Sequence, residues 1–138
     1  MKKLNLGSGN NYLKGFINID NASNVNPDLV LDITEGLPYA DDSVEYIKAI
    51  DFFEHIWHPI PVFNECHRVM QRGGTLEIEV PLAGTTEFYK DPTHVRPFVS
   101  ETFDYFTNPS ISAHYGIARW NLSYLRESDN RIFVKLFK

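Results

Sequence analysis

Lys3-Leu4-Asn5-Leu6-Gly7-Ser8-Gly9-Asn10, close to the start of the chain, precedes a second apolar run, Phe16-Ile17-Asn18-Ile19-Asp20. The first stretch predicts a short strand that runs into a Gly-x-Gly loop, where the absence of Cβ atoms lets a ligand approach the backbone. The second predicts a strand that ends in a carboxylate, and such a carboxylate accepts hydrogen bonds from both hydroxyls of a ribose. Together they indicate a site for a nucleoside-containing cofactor.

The spacing of these residues argues against a dinucleotide. The dinucleotide pattern G-x-G-x-x-G opens a helix that faces a pyrophosphate, and an acidic residue follows about 20 positions later. Here Tyr12 takes the place of the third glycine, Asp20 follows Gly7 by only 13 positions, and residues 10–15 allow at most one or two helical turns. A ribose-bearing ligand without phosphate, such as S-adenosylmethionine, is therefore favoured, and a Rossmann-type oxidoreductase is disfavoured.

Further segments follow in a characteristic order, and with them the chain resembles the small type 11 branch of class I S-adenosylmethionine-dependent methyltransferases. A single Gly-x-Gly is common by chance, so the order and spacing across residues 3–81 carry the resemblance. The segments are Asp28-Leu-Val-Leu-Asp-Ile33, Leu37-Pro-Tyr-Ala-Asp-Asp-Ser-Val-Glu-Tyr-Ile47, Phe53-Glu-His-Ile56, Phe63-Asn-Glu-Cys-His-Arg-Val-Met70 and Gln71-Arg-Gly-Gly-Thr-Leu76.

Length and composition predict one domain over residues 1–138. The chain is 43% apolar and 14% aromatic, which suits one sizeable core. No apolar run approaches the roughly 18 residues of a membrane span, and the start has no apolar signal core, so we expect a soluble, cytoplasmic protein. The formal net charge of −5 makes a nucleic-acid partner unlikely.

Alternating strands and helices up to residue 81 predict an α/β fold with a parallel, helix-covered sheet. We expect one clear helix over Pro61–Met70, ended by Gly73-Gly74, and a short helix over Ser100–Phe106 with Ser100 as its N-cap. The resemblance implies a Rossmann-like, doubly wound, mostly parallel seven-stranded sheet with a C-terminal antiparallel hairpin. The predicted strands are Lys3–Leu6, Phe16–Ile19, Leu29–Leu31, Tyr46–Ile50, Thr75–Val80, Trp120–Leu125 and Ile132–Phe137.

The resemblance also implies where S-adenosylmethionine binds, with S-adenosylhomocysteine as its product. The glycine loop would approach the methionine part, Asp20 the ribose, Asp32 and Ile33 the adenine, and Asp51 and Phe52 the sulfonium side. For Asp32, an Asx turn with Thr34 is the alternative. The expected cofactor residues are Leu6, Gly7, Ser8, Gly9, Asp20, Asn21, Asp32, Ile33, Asp51 and Phe52.

Acceptor recognition is assigned to the segment Tyr89–Phe98, which contains Asp91, His94 and Arg96. Related methyltransferases carry a similar Asp-Pro-Thr-His loop over the pocket. His94 is a candidate base for an acceptor hydroxyl or amine, since an unperturbed histidine titrates near neutral pH. His55 is a second candidate, with capping or packing as the alternative. An Asp91–Arg96 pair that only fastens the loop is the alternative for this segment.

No metal site is expected, because His55-x-x-His58 and Cys66-His67 do not match zinc-ligand spacing. Cys66 lies among helical core positions and is expected to be a buried free thiol.

The expected function is methyl transfer to an unidentified, small-molecule acceptor. The alternative is a catalytically inactive methyltransferase-like binding module or a partner subunit. The chain starts at its first strand, so we expect an open pocket, covered by residues 83–118, by a second subunit, or not at all. Aromatic residues between Phe98 and Trp120 would, if exposed, favour a homodimer.

Overall fold

The computed structural model describes residues 1–138 and contains one seven-stranded sheet in the order β3-β2-β1-β4-β5-β7-β6. Strands β1 to β5 pair in parallel, and β7 is antiparallel to both β5 and β6. The predicted fold class, including the antiparallel C-terminal hairpin, is confirmed. The strands are β1 Lys2–Leu6, β2 Ile17–Asp20, β3 Leu29–Val30, β4 Val44–Ile50, β5 Met70–Pro81, β6 Asn121–Glu127 and β7 Arg131–Phe137.

One face of the sheet forms the core. Leu4, Ile47, Leu76 and Leu136 are paired across β1, β4, β5 and β7, and all four are fully buried. They belong to one cluster of 26 buried residues, which also contains the apolar side of the helix between β4 and β5. Burying this much apolar surface is the main source of the fold's stability.

The opposite face carries a polar row, because strand side chains alternate between the two faces. The row consists of Asn5, Lys48, Glu77, Lys135 and Tyr124, one from each successive strand from β1 to β6 in sheet order. Glu77 is 3.4 Å from the Lys48 ammonium and 3.8 Å from that of Lys135. The charges on this face are therefore largely paired.

The connection from β1 to β2 is a loop without a helix, held by two buried asparagines. The Asn5 side chain donates to the Asn18 side chain (2.8 Å) and to the Asn11 carbonyl (2.9 Å). Asn18 accepts from the Leu13 amide (2.8 Å), and its own Nδ2 donates to the Asp28 carboxylate (2.9 Å). These bonds satisfy loop groups that a helix would have satisfied internally.

The helix between β4 and β5, α1, spans Pro59–Val69 and buries Val62, Phe63, Cys66 and Val69. It ends at Val69, and Gly73 lies in an irregular first part of β5, so the glycines do not terminate the helix directly. The buried free thiol predicted at Cys66 is confirmed, and burial raises its pKa to about 12.

Between β5 and β6 the chain forms short helical pieces. The predicted N-cap at Ser100 is wrong, since Val99 precedes the 3₁₀ turn Ser100–Phe103 and the Ser100 hydroxyl bonds Glu127 instead. Three short α-helices are α2 Thr86–Tyr89, α3 Asp104–Thr107 and α4 Pro109–His114. Further 3₁₀ turns are Ser23–Val25, Ile33–Glu35 and Phe53–His55.

The aromatic residues of this region mostly face the core. Phe98, Phe103, Phe106 and Trp120 are almost completely buried, whereas Tyr105 and Tyr115 are exposed. The exposed aromatic surface that would favour a homodimer therefore consists of these two tyrosines. The homodimer stays a prediction. No helix in the structure combines the length and the apolar character that crossing a membrane requires.

Candidate functional site

A cavity of about 320 Å³ lies at the carboxyl ends of β1, β2, β3 and β4. This is the edge at which open α/β sheets bind ligands. The cavity brings together every predicted cofactor residue except Leu6 and Ser8. Its lining residues are Gly7, Gly9, Asp20, Asn21, Leu31, Asp32, Ile33, Asp51, Phe52, His55 and Ile56.

The glycine loop and the β2 carboxylate are joined directly. The Gly9 amide donates to Asp20 Oδ2 (2.8 Å), and the Ala22 amide donates to Asp20 Oδ1 (2.9 Å). Each oxygen keeps a further lone pair, so the carboxylate remains able to accept from two hydroxyls. The Gly9 amide itself is occupied and is not free for a cofactor carboxylate.

The two glycines serve different purposes. Both have positive φ angles, +62° at Gly7 and +50° at Gly9. A Cβ at Gly7 would approach Phe52 Cδ2 to 2.7 Å, so this glycine permits close internal packing. A Cβ at Gly9 would meet nothing within 4 Å, so open space adjoins the backbone there. That space fits a ligand that approaches the loop.

Asp32 both caps a turn and lines the cavity. Its Oδ1 accepts from the Thr34 amide (3.0 Å) and the Thr34 hydroxyl (2.6 Å), which is the Asx turn that was the alternative for this residue. Its Oδ2 takes no part in these bonds and is left for a ligand. Ile33 and Leu31 contribute apolar lining next to it.

Asp51 follows β4 with a φ of +53°, an uncommon conformation for a residue other than glycine. Its carboxylate pairs with the Arg131 guanidinium from β7. Arg131 also pairs with Glu79 (3.0 Å) and lies 3.4 Å from Glu87. The guanidinium therefore pairs with three carboxylates beside the cavity and helps hold Asp51 in its strained conformation.

The rings of His55 and His94 are neighbours beside the same edge, where His55 lines the cavity. Their ring centroids are 4.8 Å apart, and His55 Nε2 is 3.6 Å from the Glu54 carboxylate. The Asp-Pro-Thr-His segment is fastened there because the amides of Val95 and Arg96 both donate to the Glu54 carbonyl, at 2.8 and 3.0 Å. Segment 83–118 thus contacts the 3₁₀ turn Phe53–His55, while none of its residues lines the cavity.

Asp91, His94 and Arg96 do not form one group. Asp91 accepts from the Thr93 amide and hydroxyl (2.8 and 2.7 Å) and lies 3.4 Å from His94 Nε2. Arg96 donates instead to the Trp57 carbonyl (2.5 Å), so it makes no pair with Asp91. Arg96 lines a separate, mainly apolar cavity of about 500 Å³ together with residues that include Phe98, Tyr105 and Tyr115.

Leu6 and Ser8 lie outside the first cavity. Leu6 is fully buried in the core. Ser8 lines an adjoining groove that shares Gly7, Gly9 and Asp51 with the cavity. The Ser8 hydroxyl is buried and has no hydrogen-bond partner.

The sequence also matches the family model described as "Methyltransferase domain", over residues 8–78. The chain belongs to this methyltransferase family. The match begins inside the glycine loop, includes Asp20 at the end of β2 and Asp32 after β3, and ends within β5. No curated protein matches the chain in sequence.

Solved structures show the class I methyltransferase fold across almost the whole chain. One is an S-adenosylmethionine-dependent methyltransferase from Archaeoglobus fulgidus, 17% identical, with a TM-score of 0.75 over 99% of this chain and 86% of that one. Another is from the "Complex between the Haloferax volcanii Trm112 methyltransferase activator and the putative methyltransferase". It is 13% identical, with a TM-score of 0.72 over 99% of this chain and 81% of that one. A third is the [4+2]-cyclase SpnF (13%, TM-score 0.74, 99% and 75%).

Two features of this methyltransferase-fold site were not expected from the sequence. Arg131 comes from the last strand, and no local pattern connects it with Asp51. Glu54 is completely buried although its side chain is ionisable, and neither carboxyl oxygen has a hydrogen-bond partner. The signal for Glu54 was its position between Phe52-Phe53 and Ile56, since a carboxylate among large apolar residues is unusual.

Burial raises the pKa of the Glu54 carboxyl from its ordinary value of 4.5 to about 8. The folded protein therefore holds a proton that the unfolded chain releases, and the free energy of unfolding falls as the pH rises from about 4.5 to about 8. We expect Glu54→Gln to remove this decline and to be more stable than the wild type at pH 8 by about 2–4 kcal/mol. Urea unfolding between pH 5 and pH 9 measures the difference.

The control for this experiment is Glu101→Gln, at an exposed glutamate. It should leave the pH dependence of the wild type unchanged. Parallel pH curves for the wild type and Glu54→Gln would show that Glu54 is already ionised at neutral pH.

Proposed function

We propose that this protein, as a single domain over residues 1–138, binds S-adenosylmethionine and transfers its methyl group to a small-molecule acceptor. The observation that carries the proposal is the convergence of Gly9, Asp20, Asp32 and His55 on one cavity. The family membership and the similar fold of S-adenosylmethionine-dependent methyltransferases support the same cofactor.

The residues present fit this cofactor. Asp20 would accept both ribose hydroxyls, and its bonds to Gly9 and Ala22 hold it in place before a ligand arrives. Ile33 and Leu31 would contact the adenine ring, with Asp32 Oδ2 accepting from its amino group. Asn21 adds an amide next to the ribose position. The open space at Gly9 and the adjoining groove with Ser8 would take the methionine part.

The reacting end of the site would lie toward Asp51, Phe52 and His55. S-adenosylmethionine, when bound, supplies a methyl group that its sulfonium already activates. The protein's task is then to hold an acceptor in line and to exclude water. His55 and His94, which are near neighbours, are the candidates for removing a proton from an acceptor hydroxyl or amine. Asp91, 3.4 Å from His94, would stabilise the charge that results.

A methyltransferase-like binding module or partner subunit is the second candidate. The observation in its favour is the apolar cavity of about 500 Å³, which is open and lies apart from the cofactor edge. Large apolar pockets of this kind bind ligands or partner side chains. The Haloferax volcanii neighbour comes from a complex with an activator, so assembly with a second protein is compatible with this fold.

Calorimetric titration with S-adenosylhomocysteine, paired with a transfer assay, tests the two candidates. We expect micromolar binding by the wild type, and S-adenosylhomocysteine formation from S-adenosylmethionine when pools of small molecules with hydroxyl or amine groups are supplied. His94→Asn should keep the cofactor affinity within about threefold, because His94 does not line the cavity, while transfer falls by about 100-fold or more.

His114→Asn, at an exposed histidine on α4, is the matched control and should change neither quantity. Cofactor binding without transfer to any pool would favour the binding module. Absence of S-adenosylhomocysteine binding by the folded protein would contradict both the cofactor and the proposed activity.

A further inference from the structure

Glu54, His55 and His94 form a compact cluster of potential metal ligands. One donor atom from each residue lies within 4.8 Å of the donor atoms of the other two. Glu54 and His55 come from the 3₁₀ turn after β4, and His94 comes from the loop after α2. Two imidazoles and one carboxylate are a ligand set that proteins use for zinc and other divalent transition metals.

Nδ1 of each imidazole makes a hydrogen bond to a group outside the cluster. His94 Nδ1 donates to the Phe88 carbonyl (2.7 Å), an acceptor with no proton of its own. The Thr93 hydroxyl donates its single hydrogen to Asp91 (2.7 Å), so at 3.1 Å it accepts from His55 Nδ1. A ring with its proton on Nδ1 leaves the lone pair of Nε2 for a ligand, and Nε2 of His94 also lies 3.4 Å from Asp91 Oδ2.

These outer hydrogen bonds match those of known metal sites. A metal-bound histidine almost always donates its other N–H to a backbone carbonyl, a carboxylate or a similar acceptor, which fixes the ring orientation. Here a carbonyl holds His94, and the Thr93–Asp91 pair holds His55. The two rings are thus oriented before any ligand binds.

Glu54 gives the second, independent observation. Its side chain is 0% exposed, and both carboxylate oxygens lack a hydrogen-bond donor. A buried, unpartnered carboxylate is unfavourable by several kcal/mol unless a cation or a proton compensates its charge. His55 Nε2 is 3.6 Å from Glu54 Oε1, and a nitrogen of His94 lies within 4.8 Å of the same carboxylate. A cation fixed between these atoms would compensate the carboxylate charge and accept one lone pair from each ligand atom.

We propose that Glu54, His55 and His94 bind one divalent transition-metal ion of the Zn²⁺ type. At metal–ligand distances of about 2.0–2.2 Å, tetrahedral ligand atoms lie about 3.4 Å apart. The Glu54–His55 separation of 3.6 Å is close to this, and the remaining separations, at most 4.8 Å, would shorten by up to about 1.4 Å through side-chain rotations. Three protein ligands leave at least one position open, as in sites where the metal meets a substrate.

The location suggests what the open position is for, and this step rests on the proposed function. His55 lines the cofactor cavity as well as the cluster, so the ion would lie between the cavity and the Asp-Pro-Thr-His segment. An acceptor with a hydroxyl or amine that coordinates the ion would be held beside the sulfonium side of the cavity. Coordination also lowers the pKa of such a group, so with the ion bound the metal, and not an imidazole base, would promote loss of the acceptor's proton.

Titration of the chelator-treated, full-length protein with ZnCl₂, by calorimetry, tests the site. We expect one Zn²⁺ per chain with micromolar or tighter affinity, and a Co²⁺ absorption spectrum typical of mixed nitrogen and oxygen ligation. His55→Gln and Glu54→Gln should each weaken Zn²⁺ binding at least tenfold. Because His94 is almost buried, His55→Gln is the main variant and His94→Ala is the second, with circular dichroism as the check of folding.

His114→Asn serves as the control for adventitious binding by an exposed histidine, and it should bind Zn²⁺ like the wild type. Absence of Zn²⁺ binding by the wild type would overturn the proposal, and so would equal binding by the wild type and His55→Gln. S-adenosylhomocysteine binding is measured on the same samples with and without Zn²⁺. It reports on the cofactor proposal separately, so either proposal can fail while the other holds.

Discussion

Asp20→Ala should weaken S-adenosylhomocysteine binding by about 100-fold or more. Under the proposed function the carboxylate accepts two hydrogen bonds from the ribose, and each bond to an ionised group contributes about 1.5–3 kcal/mol. A loss of 1.4 kcal/mol corresponds to tenfold in affinity. The substitution also removes the acceptor of the Gly9 amide at 2.8 Å, so the glycine loop loses its anchor. Calorimetric titration of the variant measures the change.

Two further variants serve as controls for the Asp20→Ala measurement. Asp129→Ala changes an exposed aspartate in the turn between β6 and β7 and should leave the affinity unchanged. Asp20→Asn keeps one acceptor oxygen and should give an intermediate affinity. If Asp20→Ala bound as tightly as the wild type while remaining folded, the ribose would have to be held elsewhere and the assignment of this cavity would be wrong.

Phe63→Ala should lower the free energy of unfolding by about 3–5 kcal/mol. The Phe63 ring is 0% exposed, and its centroid is 4.2 Å from that of Phe53 and 4.0 Å from that of Phe106. Truncation leaves a cavity between α1, α3 and the turn that carries His55. For a domain of this size, the melting temperature should fall by roughly 10–20 °C. Thermal and urea unfolding measure both quantities.

The comparison variant is Tyr105→Ala, which removes a half-exposed ring from the neighbouring helix α3. Its expected loss is below about 1 kcal/mol, because a large part of the ring is already in water. Similar losses for the two variants would mean that the aromatic stack does not hold the helices on the sheet.

The strands were predictable because their patterns are local. In the predicted strand Thr75–Val80 apolar and polar residues alternate, with Leu76, Ile78 and Val80 on the buried face and Glu77 in the polar row. The region after Pro81 was harder, since its helices are short and their packing depends on distant partners. Ser100 has the right residue type for an N-cap, yet its hydroxyl donates to Glu127 at the end of β6, a partner distant in sequence that no local rule identifies.

The residues of the site likewise fall into a group that local patterns predict and a group that they do not. Asp20, Asp32 and Asp51 could be placed because each follows a strand, and parallel strands end at a common edge. The cluster of Glu54, His55 and His94 could not be placed in this way. Zinc-ligand spacing patterns connect near neighbours, and His94 is far from His55 in sequence. Only the fold brings His94 next to His55.

The loop between β1 and β2 has a consequence for mutational robustness. A helical crossover distributes its stability over many backbone hydrogen bonds and many tolerant surface positions. In this chain the same task falls to two amide side chains, Asn5 and Asn18, which are both almost completely buried. Any replacement there leaves buried donors or acceptors unpaired. A short connection whose sensitivity to substitution is concentrated at Asn5 and Asn18 stands here in place of a long one that tolerates change.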